Sequence, residues 1–214
     1  MRFRLSFALA GLIIGACKVS TPSGSAYNMV YQFYFEGSER WWRYADDNGS
    51  NAILHVEKGE VASTAEGNVI TLEHWLLYDD DTEEHVASIH WSSEWDVVRV
   101  HGYEIHGTGE EVLFEPPVLV GEGGAHAGDS WTTTTGVHTF TSTVDRVEGC
   151  GCPWVPSWDD ETCVVLELDD GDNDPATHGL VTGTYHLLSR YGPVWLELDG
   201  YDALWKLEDH YWED

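Results

Sequence analysis

Positive charge is scarce in this chain: 10 Lys+Arg stand against 38 Asp+Glu in 214 residues. That excludes nucleic acid as a partner, because holding a phosphate backbone takes a basic footprint. It also argues against a domain face lying flat on anionic lipid. Long apolar runs are equally scarce. Beyond residue 16 no stretch is long and apolar enough to cross a bilayer as a helix. Helical periodicity is missing from every long window, and no fixed-period repeat is present. The signatures of familiar chemistry are absent too. There is no His-Glu-x-x-His pair, no His-Cys-Cys constellation and no Gly-x-Ser-x-Gly elbow. The 11 histidines therefore read as surface or cross-strand residues. His101 and His106, five apart, do not share a face in a regular strand. The pattern implies no cofactor.

The N-terminus carries the most specific signal. Arg2 and Arg4 precede an apolar run over 5–14, broken only by Ser6 and Gly11. That run is too short to span a bilayer and sits where a secretory h-region sits. Ile14-Gly15-Ala16-Cys17 follows. The string resembles the bacterial lipobox, an aliphatic residue and two small residues before a cysteine. The resemblance implies that the Cys17 thiol is acylated, that the peptide is cut before it, and that the new amine is acylated as well. Several acyl chains on one residue meet the two-signal requirement for stable anchoring. The competing reading is an ordinary secretory signal with an incidental cysteine, cleaved after Ala16 or further along. Lys18, which is not aspartate, makes the outer membrane the expected destination where sorting reads that position.

The expected organisation is a lipoprotein signal peptide over 1–16, a lipidated flexible tether over 17–26, and a single β-rich domain over 27–214. The tether is small and polar, Lys-Val-Ser-Thr-Pro-Ser-Gly-Ser-Ala after the cysteine. Short β-rich segments then recur between Gly, Asp, Asn and Pro. Strands are expected over 30–35, 52–56, 68–78, 86–91, 95–101, 111–114, 131–135, 137–147, 162–168, 180–188, 194–198 and 203–207. Tyr78-Asp79-Asp80-Asp81-Thr82 reads as an acidic hairpin tip and Asp199-Gly200 as a turn. Pro116-Pro117 is expected to stop the sheet, since proline cannot serve a central ladder. The glycine-rich segment 121–129 is expected to be a loop dividing the domain into halves. A competing reading places a short helix over 82–91, capped by Asp81. The fold class is all-β: a curved antiparallel sheet forming a partial barrel or sandwich.

The body carries a second resemblance. The run from Tyr34 to Tyr44, Tyr-Phe-Glu-Gly-Ser-Glu-Arg-Trp-Trp-Arg-Tyr, resembles the opening of a class of uncharacterised envelope lipoproteins. Pro116-Pro117 followed by Gly128-Asp129-Ser130-Trp131 fits that pattern, as do the segments 161–165 and 190–194. Glu36-Gly37 departs from it where the class has proline before glycine. The resemblance implies a curved antiparallel β domain in the cell envelope and no catalytic residues.

Few residues suggest chemistry. Three cysteines remain after Cys17, and an oxidising compartment predicts a disulfide. Cys152 with Cys163 is the favoured pairing, Cys150 with Cys163 nearly as good, and Cys150 with Cys152 a very tight ring. Asp170, Asp172 and Asp174 alternate like half of a calcium loop, but Pro175 and Val181 stand where such a loop has glycine and a bidentate glutamate. A solvated turn is the expectation there, and no metal site is expected. The 11 tryptophans include Trp41, Trp42, Trp75, Trp91, Trp95 and Trp131 on predicted strands, where packing is the ordinary role. Trp154 and Trp158, in a proline-containing loop, are the candidates for an exposed binding surface. Taken together, these features predict a non-catalytic, lipid-anchored binding or scaffolding protein. Its partner would be an apolar ligand or a protein, with an envelope glycan as the alternative. A hydrolase built from dispersed carboxylates is the reading from another class.

Overall fold

The computed structural model describes residues 27–28, 39–47, 52–64, 67–94, 96–149, 162–171, 178–189, 191–201 and 203–213. Among them there is no helix. The described residues form thirteen strands: β1 (Tyr27–Asn28), β2 (Glu39–Asp46), β3 (Ala52–Thr64), β4 (Gly67–Tyr78), β5 (Glu83–Glu94), β6 (Val97–Ile105), β7 (Glu110–Ala125), β8 (Ser130–Thr135), β9 (His138–Gly149), β10 (Thr162–Asp169), β11 (Gly183–Leu188), β12 (Gly192–Leu198) and β13 (Trp205–Glu213). The strand expected over 30–35 lies outside the described residues. The helix considered over 82–91 is β5 instead. Its flanking strands supply the ladder partners that an isolated ten-residue helix would lack.

Every pairing is antiparallel. The order is β1-β7-β6-β5-β4-β3-β2-β13-β12-β11-β10-β9-β8. Two six-stranded meanders, β2–β7 and β8–β13, are therefore joined through β2 and β13. The result is a nearly closed, barrel-like sheet, with β1 added on an edge of β7. The β2–β13 join is a backbone ladder running from Trp205 opposite Asp46 to Glu213 opposite Glu39. The opposite join, β7 to β8, is made with hydroxyls. The Glu115 amide donates to Thr135 Oγ1 at 2.8 Å, and the Leu119 amide to Thr133 Oγ1 at 3.0 Å. Ser142 Oγ on β9 donates to the Val120 carbonyl at 2.5 Å. This gives the threonine-rich segment a purpose: its hydroxyls satisfy an edge that backbone groups do not reach.

Alternation builds the core. Along β2, Arg40, Trp42 and Tyr44 point inward and Trp41 and Arg43 outward. The polar tips of the buried aromatics find backbone acceptors at the start of β12. Trp42 Nε1 donates to the Tyr191 carbonyl at 2.7 Å, and Tyr44 Oη to that of Pro193 at 2.9 Å. Arg40 stacks on Trp42 and donates to the Tyr191 carbonyl too. Leu54, Ile89, Phe140, Leu166 and Leu187 fill the interior from the other strands. The turn at 178–181 sets His178 against Tyr103, Phe114 and Phe140, with Tyr103 Oη 3.0 Å from His178 Nδ1.

Two expectations at β7 are corrected. The strand does not stop at Pro116-Pro117 but runs through them. Opposite β6, the register jumps from Val118 (facing Val100) to Leu113 (facing Gly102), so both prolines fall in a bulge where β6 requires no amide. Gly102 makes this approach possible: at φ 150°, a Cβ there would lie 2.1 Å from the Val112 carbonyl oxygen. The glycine-rich stretch is not all loop either. Residues 121–125 finish β7, and the turn that separates the two meanders is 126–129.

Candidate functional site

Among the described residues the interior of the sheet is closely packed. One cavity, of about 30 Å³, is lined by Trp42, Tyr44, Leu72, His74, Trp91 and Tyr185 among others. That holds one or two waters, whereas small-molecule pockets run to about 300–1,000 Å³. His74 on β4 faces this space. Its Nδ1 has no hydrogen-bond partner among the described residues. Burial pushes its pKa down to about 4, with the nearby His85 adding to the effect.

The outer face is different. Strand registry places Asp209, Arg43, His55, Trp75 and His85 side by side across β13, β2, β3, β4 and β5. The adjacent row is Tyr211, Trp41, Glu57, Glu73, Ser88 and Glu104, reaching β6. Because the side-chain period of a strand is two, these residues share one face although they come from six strands.

At one end of this belt, Trp41 and Tyr211 stack at 6.1 Å and the Arg43 guanidinium lies 5.1 Å from the Trp41 ring centre. Arg43 Nε donates to His55 Nδ1 at 3.4 Å, and His55 Nε2 stands 3.5 Å from Glu57 Oε2. Partial burial, with the Arg43 charge adding to it, holds the His55 pKa below its ordinary value against the opposing pull of Glu57 and Glu83. Arg43, His55, Glu57, Trp75, Leu77 and Glu83 line a shallow groove of about 260 Å³.

At the other end three rings form a column. Trp75 and His85 stack at 3.9 Å, and His85 and His106 at 3.7 Å. The hairpin register sets His85 opposite Trp75, the bulge between His74 and Trp75 then brings Ser88 opposite Glu73, and the turn after β6 ties the His106 amide to the Val86 carbonyl. Glu73 closes the group. Its Oε2 is 2.9 Å from His85 Nε2 and 4.0 Å from His106 Nε2. Ser88, 5% exposed, hydrogen-bonds Glu73 Oε2 and lies 2.7 Å from His106 Nε2. Glu104 Oε1 stands 4.0 Å from His106 Nδ1. One ligand atom each from Glu73, His85 and His106 falls within 4.8 Å of the others. A carboxylate and two imidazoles at such spacing are able to share a proton or a cation.

The residues singled out from sequence are dispersed. Cys17, Cys150, Cys152, Trp154, Trp158, Asp172 and Asp174 lie outside the described residues, as does Trp95. Cys163 is fully buried on β10. Asp170 is buried as well, at 5% exposure, and does not stand out on a solvated turn. Burial, with the charges of Glu110 and Asp170, raises the Tyr103 pKa to about 12. Trp42 and Trp91 pack inward as expected, while Trp41 and Trp75 stand on the outer face. The belt itself went unread. One clue to it was available: a hairpin tip at 79–81 sets Trp75 opposite His85, because both are five residues from its centre.

The features described define an all-β, barrel-like protein whose described residues pack a close interior and carry a belt of aromatic, histidine and acidic residues outside. No family model matches the chain, nor does any curated protein or solved structure.

Proposed function

We propose that the chain is a lipid-anchored cell-envelope protein whose barrel exterior binds a protein partner without catalysis. The filled interior carries the binding half of this reading. A cavity of about 30 Å³ leaves any larger partner to meet the outside, where Trp41, Tyr211, Arg43 and Trp75 stand ready. Aromatic and arginine side chains are the residues that dominate partner binding. The anchor rests on the N-terminal run that ends in Ile14-Gly15-Ala16-Cys17. Outer-membrane placement follows from Lys18, and export carries the body into an oxidising compartment. Cys163, sealed in the core, then pairs with Cys152 or Cys150.

Alkyne-palmitate labelling with intact-mass analysis of wild type beside Cys17→Ala tests the anchor. Label on the wild type alone is expected; an unlabelled, wholly soluble wild type overturns it. A photo-crosslinker at Tyr211 in intact cells tests the partner. A discrete protein adduct that disappears with Arg43→Glu supports the reading. Retention on purified cell-wall glycan that depends on Trp41 would replace it with the carbohydrate alternative. Turnover of a glycan or ester abolished by one carboxylate substitution would replace it with the hydrolase.

A further inference from the structure

We propose that Glu73, His85 and His106 form a transition-metal site on the outer face of the barrel, one that takes a borderline divalent cation such as Zn2+. This does not rest on the lipid anchor or on the protein partner. The three donors come from β4, β5 and the turn after β6, and their nitrogen and oxygen atoms converge. In a tetrahedral zinc site ligand atoms lie about 2.0–2.1 Å from the ion, hence roughly 3.3 Å from one another. Glu73 Oε2 and His85 Nε2 are 2.9 Å apart, and Glu73 Oε2 and His106 Nε2 4.0 Å apart. Side-chain rotations that open the His85–His106 stack and turn both ring edges toward the carboxylate admit an ion, with water completing the shell.

The surroundings resemble the outer shell of metal sites, where second partners fix each imidazole's orientation and tautomer. Ser88 Oγ donates to Glu73 Oε2 and steadies the carboxylate, while the hydrogen bond it accepts from His106 Nε2 is one that the ion displaces. When an ion takes that nitrogen, the imidazole proton resides on Nδ1, which faces Glu104 Oε1 at 4.0 Å. Trp75 walls the other side of His85. Two imidazoles and one carboxylate suit zinc, nickel or copper; calcium and magnesium require a shell of oxygens. A formal charge of −28 enriches divalent cations near the surface and lowers the barrier to loading.

The test is calorimetry on the chelator-treated full chain in detergent, with Zn2+ and, separately, Ca2+. One Zn2+ per chain is expected, with Ca2+ at least tenfold weaker. Glu73→Gln and His106→Gln should each weaken Zn2+ at least tenfold. His126→Ala, at a half-exposed histidine beside Asp129, should leave it unchanged. Co2+ provides a readout that needs no variant: the wild type should show the intense visible absorption of a four- or five-coordinate site. A hexa-aqua cobalt spectrum, Ca2+ binding as tightly as Zn2+, or Zn2+ affinity untouched by both Gln variants would overturn the proposal.

Discussion

The two faces of β4 carry different chemistry on alternate residues. Ile70, Leu72 and His74 look into the barrel; Thr71, Glu73 and Trp75 look out. Two histidines on neighbouring strands show what this does. His74 is enclosed among apolar side chains, and burial holds it neutral well below the usual histidine range. His85, one ladder step away on the outer side, hydrogen-bonds Glu73 and stacks between Trp75 and His106. The same imidazole is thus a small hydrophobe inside and a hydrogen-bonding ligand outside. Strand registry, more than residue type, decides which role a side chain plays.

The largest effect is expected on the inner face. Leu72→Ala removes packing beside a cavity that exists already, and should cost about 2–5 kcal/mol in chemical denaturation. A loss below about 1 kcal/mol would mean that the inner face is loosely packed. His74 should give the next largest effect, and it depends on pH. Its folded pKa, about 4, lies below the unfolded value of about 6.5. Between these values the unfolded chain binds the proton and the folded chain does not. Stability is therefore intact above about pH 6.5 and falls as the pH drops toward 4, by on the order of 3 kcal/mol in all. His74→Leu should remove that part of the acid sensitivity, as measured by denaturant midpoints at pH 7, 6, 5 and 4. Parallel curves for wild type and variant would show that His74 takes up its proton without unfolding.

Much of this fold was legible because its signals are local. Strands β4, β6 and β12 are visible as alternation between turn residues, β8 as a run of threonines, and the segment 78–82 as an acidic tip. Thr82 accordingly donates to Asp80 Oδ1 from both its amide and its hydroxyl. What escaped depends on pairing between distant segments. Pro116-Pro117 reads as a stop until β6 is known to skip past it. The threonines of β8 read as generic strand formers until the edge of β7 lies opposite them. The metal-capable group is hidden in the same way. Glu73 and His85 can be matched across their hairpin, but His106 joins them only through the bulges of β5 and β6.

The β7–β8 join allows a smaller test of how registry assigns roles. Thr133 accepts from the Leu119 amide, and no backbone ladder across this seam takes over if it is lost. Thr133→Val keeps the shape and the strand propensity but strands that amide, at about 1–2 kcal/mol. Hydrogen exchange locates the damage: the Leu119 and Glu115 amides should exchange faster, while the β2–β13 ladder keeps its protection. Uniform acceleration in both seams would mean that the barrel opens as one unit and that the hydroxyls close nothing in particular.

The smallest expected effect lies on the outer face. Trp75 is only partly buried, and its main partners are the His85 ring and the groove wall. An aromatic pair of this kind contributes roughly 0.5–1.5 kcal/mol beyond its buried area. Trp75→Leu should therefore lower stability by about 1 kcal/mol, well short of Leu72→Ala three residues away. It should also free the His85 ring from one side, visible as a shift of its NMR signals with those of His106. If Trp75→Leu cost as much as the inner substitution, the outer face would be a second core. The belt would then be structural packing and not a surface held ready for a partner or an ion.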